Sequence, residues 1–315
     1  IGLYTATENE LGSIGRAAEE VDADLVVRSA SDLDDETDAA AFVDELTDAT
    51  AVICWLHGSE GSMPGYESAV DRLREAGVPL VVKSTGDAYA MEDTTVDSAA
   101  RERVYEYLDR GGTVNVANCL RFLVDEYAGS EDAGASAVDA ADDEDRPYDD
   151  PVALPTEGVY HPDHPGASYD ELLATHDPES PTVAVWFYES HWTHENLRYV
   201  DAQVRALEAQ GANALPIFCN PASEEDGGWD AERVTDEWLL DADDEPVVDA
   251  VLSSFMFSLS MDERGREASD EGDSAEDVFL DRLGVPVIQT VTTMRSRSRY
   301  DASDTGVMGF ELALS

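Results

Sequence analysis

The sequence predicts an α/β protein made of two doubly wound parallel-sheet domains. Short apolar runs alternate with amphipathic stretches up to residue 128 and again after residue 180. That alternation builds parallel strands covered by helices on both faces. Between the halves the composition collapses into Ala, Asp, Glu, Gly and Ser, as in a solvated linker. At 315 residues the chain is also long for one small domain. The expected division is a first domain over 1–128, an acidic linker over 129–150 and a second domain over 151–315, opening with an extended segment over 151–180.

The elements follow in order. "IGLYTA" reads as a strand followed by a helix to about Val21, and "DLVVRS" as a strand before the amphipathic "AAFVDELTDA". "AVICWL" precedes "YESAVDRLREAG", whose Gly77 is placed to end the helix, and "VPLVVKS" follows at once. "ARERVYEYLDRGG" and "TVNVANCLRFLVDEY" read as two helices closing the domain. In the second half "TVAVWFY" is a strand. "LRYVDAQVRALEAQG" is a helix with Leu197, Val200, Val204 and Leu207 on one face, ended by Gly211. "NALPIF", "VVDAVLSS" and "GVPVIQTV" are further strands, the last two separated by the polar stretch Asp262–Asp277. Both halves are thus flavodoxin- or Rossmann-like in pattern.

Hydrophobic residues make up 43% of the chain, enough for real cores despite a net charge of −51. Lys83 is the sole lysine. Acid spread over every segment reads as a whole-surface adaptation to a salt-rich cytoplasm, where self-repulsion is screened. The same field argues against nucleic acid or an anionic membrane as partner. Cys54, Cys119 and Cys219 are isolated and lack a CxxC, which fits buried thiols in a reducing cytosol. The apolar "VVDAVLSSFMFSLSM" is interrupted by Asp249 and is too short to span a bilayer. No signal peptide is visible, and both ends read as cut from something longer.

Several stretches could carry chemistry. "YTATENELGS" is placed like a flavodoxin phosphate loop, but Glu8 and Glu10 would repel a phosphate, so an ordinary turn and no flavin is expected. "HGSEGSMPG" holds His57 at a strand end but no lysine, and a Walker A motif occurs nowhere, so ATP chemistry belongs elsewhere. "YESHWTHENL" brings Ser190, His191, His194 and Glu195 together, with Thr193 and Asn196 marking a helix start. Two imidazoles and a carboxylate can hold a divalent metal, although zinc usually takes a third protein ligand besides the histidines. "MRSRSRY" carries Arg295, Arg297 and Arg299; if extended, it aims all three at one side, toward a carboxylate or phosphate. The alternative is neutralisation of Asp301 and Asp304. In "GVYHPDHPG" each of His161 and His164 precedes a proline, with Asp163 between them. Joint chelation requires a turn at Pro162–Asp163, and a rigid turn is the favoured reading on local grounds.

Taken together, "YLDRGGTVNVANCLRFLVDEYAG", "ALPTEGVYHPDHPG", "SHWTHENLRYVDAQVRALEAQGANALPIF" and "LGVPVIQTV" resemble the N-terminal part of the large subunit of aerobic cobaltochelatase, a relative of the magnesium chelatase H subunit. The matching positions are Pro155, Glu157, Gly158, Tyr160, His161 and Pro162, then Ser190, His191, Leu207, Glu208 and Gly211. The resemblance implies a subunit that binds a tetrapyrrole (hydrogenobyrinic acid diamide or a porphyrin) and inserts a divalent metal, Co2+ in preference to Mg2+. AAA+ partner subunits would hydrolyse ATP, and this chain would be the head region of a longer protein, inactive alone. On that footing Glu157, Tyr160, Ser190, Arg295, Arg297 and Arg299 are expected near substrate. His161, His164, His191 and His194 are candidates for the metal, and His191 for proton transfer. The alternatives are a docking module for the ATPase subunits with no small-molecule site, magnesium insertion into protoporphyrin, and a free-standing α/β ligand-binding protein.

Overall fold

The computed structural model describes residues 1–6, 8–21, 23–33, 35–85, 92–128, 146–220, 231–255, 282–292 and 297–303. The chain divides into two compact units, Ile1–Leu154 with Thr193–Glu195, and Pro155–Trp192 with Asn196–Ser315.

Unit 1 runs β1 (Gly2–Thr5), α1 (Leu11–Glu20), β2 (Val26–Ser29), α2 (Glu36–Leu46), β3 (Val52–His57), α3 (Tyr66–Ala76), β4 (Leu80–Thr85), α4 (Ser98–Arg110) and α5 (Gly112–Tyr127). Its strands are all parallel, in the order β2-β1-β3-β4. The period-two alternation of each strand feeds two cores. Leu3, Ile53, Trp55 and Val81 pack under α1, α4 and α5, while Tyr4, Cys54, Leu56 and Val82 pack under α2 and α3. Asp35 and Asp97 accept backbone N–H bonds at the starts of α2 and α4, satisfying donors a helix N-terminus leaves open. Gly77 ends α3 at φ 73°, as its position in the sequence predicts. Lys83 is buried on β4 and neutralised by Asp109 at 2.6 Å.

The tail of the expected linker is anchored. Tyr148 is buried edge-on to Phe122 at 5.3 Å, and the Asp149 carbonyl accepts from the Tyr107 hydroxyl. Asn115 of α5 then bonds the backbone of Val152 twice, at 2.8 and 2.9 Å. An unanchored chain does not describe residues 146–150; Tyr148 supplies the apolar anchor that average composition hides.

Unit 2 runs β5 (Gly158–Val159), α6 (Tyr169–Leu173), β6 (Thr182–Tyr188), α7 (Glu189–Thr193), α8 (Arg198–Ala209), β7 (Asn213–Cys219) and α9 (Ala231–Val234), then β8 (Ala250–Ser253), β9 (Val287–Gln289) and α10 (Arg297–Asp301). The sheet order is β5-β7-β6-β8-β9, parallel except for β5, which pairs antiparallel with β7. Leaving β5 aside, the winding repeats that of unit 1, with the first strand inside and its two successors on opposite sides. The fold class is therefore the predicted one. Ligands of such sheets collect beyond the carboxyl ends of the strands where the winding reverses, between β1 and β3 in unit 1 and between β6 and β8 in unit 2. The stretch Asp262–Asp277 lies outside the described residues. No helix among the described residues is long and apolar enough to cross a membrane.

Candidate functional site

The reversal point of unit 2 is built by the end of β6. Alternation sends Trp186 and Tyr188 to one face of the sheet and Phe187 to the other. The chain turns at once into α7, presenting His191. The backbone N–H of Asn196 donates to the His191 carbonyl at 2.8 Å, which closes this turn. The imidazole packs edge-on to Tyr199 at 5.1 Å, with Tyr188 at 6.4 Å, and Asn196 Nδ2 lies 3.4 Å from its Nδ1. Burial away from water pushes the His191 pKa down to about 4, so at neutral pH the ring is uncharged, with its Nδ1 lone pair facing the Asn196 amide and its proton on Nε2. Burial raises the Tyr199 phenol, and the Ser254 hydroxyl beside it acts in the opposite direction.

The neighbouring strands contribute hydroxyls. Ser253 Oγ, at the end of β8, is buried with no hydrogen-bond partner among the described residues. Ser254 Oγ and Thr290 Oγ1 are 2.9 Å apart, and Phe255 stands edge-on to Tyr188 at 4.6 Å. An uncharged imidazole, two phenols and serine hydroxyls at one sheet edge can bind a flat conjugated ligand, offer a nitrogen to a metal, or take up a proton. Tyr199, Ser253 and Ser254 were missed by the sequence reading. A serine pair at the end of an apolar strand was the available signal.

Apart from Ser190, which lies in α7 beside His191, the remaining candidates whose side chains are described fall elsewhere. Pro162 to Gly166 form turns, with the His164 N–H donating to the His161 carbonyl at 3.1 Å, and the two rings lie 5.0 Å apart. The ligand atoms of His161, Asp163 and Glu208 lie within 4.8 Å of one another, a separation that could suit a cation. Two bonds oppose that use. The Asp163 N–H donates to His161 Nδ1 at 3.2 Å, so the ring proton sits on Nε2, facing Glu208 at 3.2 Å. A metal-bound histidine instead donates from its second nitrogen. Arg205 already joins the carboxylates, at 2.5 and 2.6 Å from Asp163 and 3.0 Å from Glu208. As folded, the bonds favour the rigid turn.

His194 and His191 fall to different units. His194 Nδ1 bonds Ser13 Oγ at 2.8 Å, its ring is edge-on to Trp55, and its carbonyl accepts from Arg16 at 2.8 Å. Glu157 accepts from Thr156 at 2.6 Å, Tyr160 donates to Asp201 at 2.7 Å, and Ser190 lies in α7 beside His191. Arg295 lies outside the described residues, and of Arg299 only the helical backbone is described. Arg297 is 86% exposed and pairs with Asp301 at 2.7 Å. Because α10 is helical, the period-two alignment of an extended run does not hold there.

Two doubly wound α/β units define the fold class. The comparisons narrow it. The CobN/Magnesium Chelatase family model matches residues 105–315, and the chain belongs to that family. It is 26% identical to the aerobic cobaltochelatase subunit CobN of a Sinorhizobium species over 70% of this chain and 16% of that protein. It is 28% identical to the magnesium-chelatase H subunit of Rhodobacter capsulatus over 58% of this chain and 13% of that one. The solved catalytic subunit of cobaltochelatase from Mycobacterium tuberculosis shares the fold, with TM-score 0.59 and 22% identity over 99% of this chain and 23% of that one. The chain thus spans less than a fifth of the length of these two curated relatives.

Proposed function

We propose that this chain is the head region of the large, tetrapyrrole-binding subunit of an ATP-dependent metal chelatase, and that the reversal point of unit 2 forms part of the wall against which the macrocycle lies. The observation that carries this reading is His191: an uncharged imidazole held among Tyr188 and Tyr199 at the sheet's carboxyl edge. Metal insertion requires a group that accepts pyrrole protons and ligands that hand over a partly dehydrated ion. A neutral imidazole can do either, and the aromatic surroundings suit the faces of a conjugated ring. Ser190, beside His191, is a candidate for a polar contact with the macrocycle.

Cobalt insertion into a corrin precursor is the favoured reaction and magnesium insertion the alternative. AAA+ partner subunits hydrolyse the ATP, in keeping with the missing Walker A motif, and the acid surface suits a salt-rich cytoplasm. The test is an absorbance and fluorescence titration of the full-length subunit with hydrogenobyrinic acid diamide and with a porphyrin. Wild type binds one of them, and His191→Ala weakens that binding at least tenfold. A full-length subunit that binds neither ligand overturns the reading.

A further inference from the structure

Three side chains of the "EGVYHPD" stretch reach one helix. The Tyr160 hydroxyl donates to Asp201, His161 Nε2 faces Glu208, and Asp163 forms a two-bonded fork with Arg205. Asp201, Arg205 and Glu208 lie at i, i+4 and i+7, a single stripe along α8. The stretch itself is fixed from the other side. β5 pairs with β7, and Gly158 lies so close to Phe218 that a Cβ would meet its ring at 2.5 Å. Helix α8 is therefore held at both ends of one face by a segment that is itself locked to the sheet. Its first turn carries Tyr199, the ring that stands against His191.

We infer that Tyr160, His161 and Asp163 are positioning residues: they clasp α8 and so hold Tyr199 over His191, acting on the site through the helix without touching substrate or metal. This rests on the reading of His191 as the working group of unit 2. It reassigns the segment's residue types. The buried imidazole and the carboxylates that could make a cation site are spent on Arg205 and on each other. Tyr160, with its hydroxyl engaged by Asp201, is turned to α8.

Among the described residues, the groups facing His191 are Tyr188 from β6, Tyr199 from α8 and Asn196 from the connection between them. Loosening α8 lets water reach the ring, so the midpoint of the folded-state signal reports the clasp, whereas a uniform loss of stability changes the folded fraction and leaves that signal's midpoint in place. The experiment is a pH titration of the chain with 13C-labelled histidine followed by NMR, the His191 signal being assigned from His191→Gln. In wild type His191 titrates near its depressed value of about 4. In folded Asp163→Ala and Arg205→Ala the midpoint rises by about one pH unit or more toward the ordinary histidine value. The exchanged pair Asp163→Arg with Arg205→Asp returns it toward wild type. Midpoints that stay at the wild-type value in the single variants overturn the clasp.

Adding one equivalent of paramagnetic Co2+ supplies the second arm. Little broadening of the His161 and His164 signals is expected. Strong broadening that is lost in Asp163→Ala and enhanced in Arg205→Ala would make the cluster a metal site and overturn the inference. Neither arm contains a tetrapyrrole, so failure of the macrocycle titration and failure of the clasp are separate results.

Discussion

The two units wind their central strands in the same order and differ in what stands at the reversal point. In unit 1 that end is occupied by the chain's own Thr193–Glu195, seated against the first turns of α1 and α5. His194 bonds Ser13 and Arg16, while Glu195, at φ 54°, pairs with Arg16 at 2.9 Å and accepts from Thr113 at 2.9 Å. Glu195 also sets a carboxylate near the amino end of α5, where the helix dipole favours it. In unit 2 the equivalent end holds an uncharged, desolvated His191 and the buried hydroxyl of Ser253, which has no hydrogen-bond partner among the described residues. Topology supplies the place in both, and among the described residues the side chains set there differ in charge and in bonding.

The largest expected effect breaks the filled end. Gly111 has φ 61° and ψ −170°, a backbone region essentially closed to other residues. A Cβ there would stand 2.9 Å from Thr193 Cγ2 and 3.2 Å from His194 Cε1. Gly111→Ala should destabilise unit 1 by about 3–5 kcal/mol, combining backbone strain with overpacking. Guanidinium unfolding in high salt measures it, and an unchanged midpoint would mean that Thr193–Glu195 is not seated on unit 1.

A pH series sharpens the other side. The His191 pKa is depressed in the folded state, so the unfolded chain takes up this proton first as pH falls. Stability is full above about pH 6.5 and declines from there to about pH 4, by up to about 3 kcal/mol from this group. Because 70 acidic residues also titrate toward the low end, the informative quantity is the difference between wild type and His191→Gln across that window. Equal slopes would return His191 to an ordinary hydrated histidine.

The strand–helix alternation made most of this legible. The runs "TVAVWFY" and "AVICWL" hold their strands because β-branched and aromatic residues fill both faces of a covered sheet. β5 is two residues long and gave no periodicity to read. α6 carried a visible signal, Ser168 with Glu171 three residues on, whose side chains make the reciprocal capping bonds. His191 was legible as a candidate because it directly follows an apolar strand. Its neutrality was not, because that depends on Tyr188 and Tyr199 folding over it. The return of Thr193–Glu195 to unit 1 was likewise hidden, being a contact with residues some 180 positions away.

The smallest expected effect bears on whether the arginine run belongs to the reversal point of unit 2. Arg297 is exposed and paired with Asp301 one helical turn on, an arrangement that contributes little in water and less in salt. Arg297→Ala should therefore leave the unfolding midpoint within error. If the guanidinium serves only that local pair, the outcome of the tetrapyrrole titration proposed above is unchanged as well. A loss of several-fold in affinity at unchanged stability would instead bring Arg297 to a substrate carboxylate. The reversal point of unit 2 would then gain a positive charge to set beside its neutral imidazole, and its contrast with the Arg16–Glu195 pair of unit 1 would lie in which carboxylate each guanidinium meets, the protein's own or the ligand's.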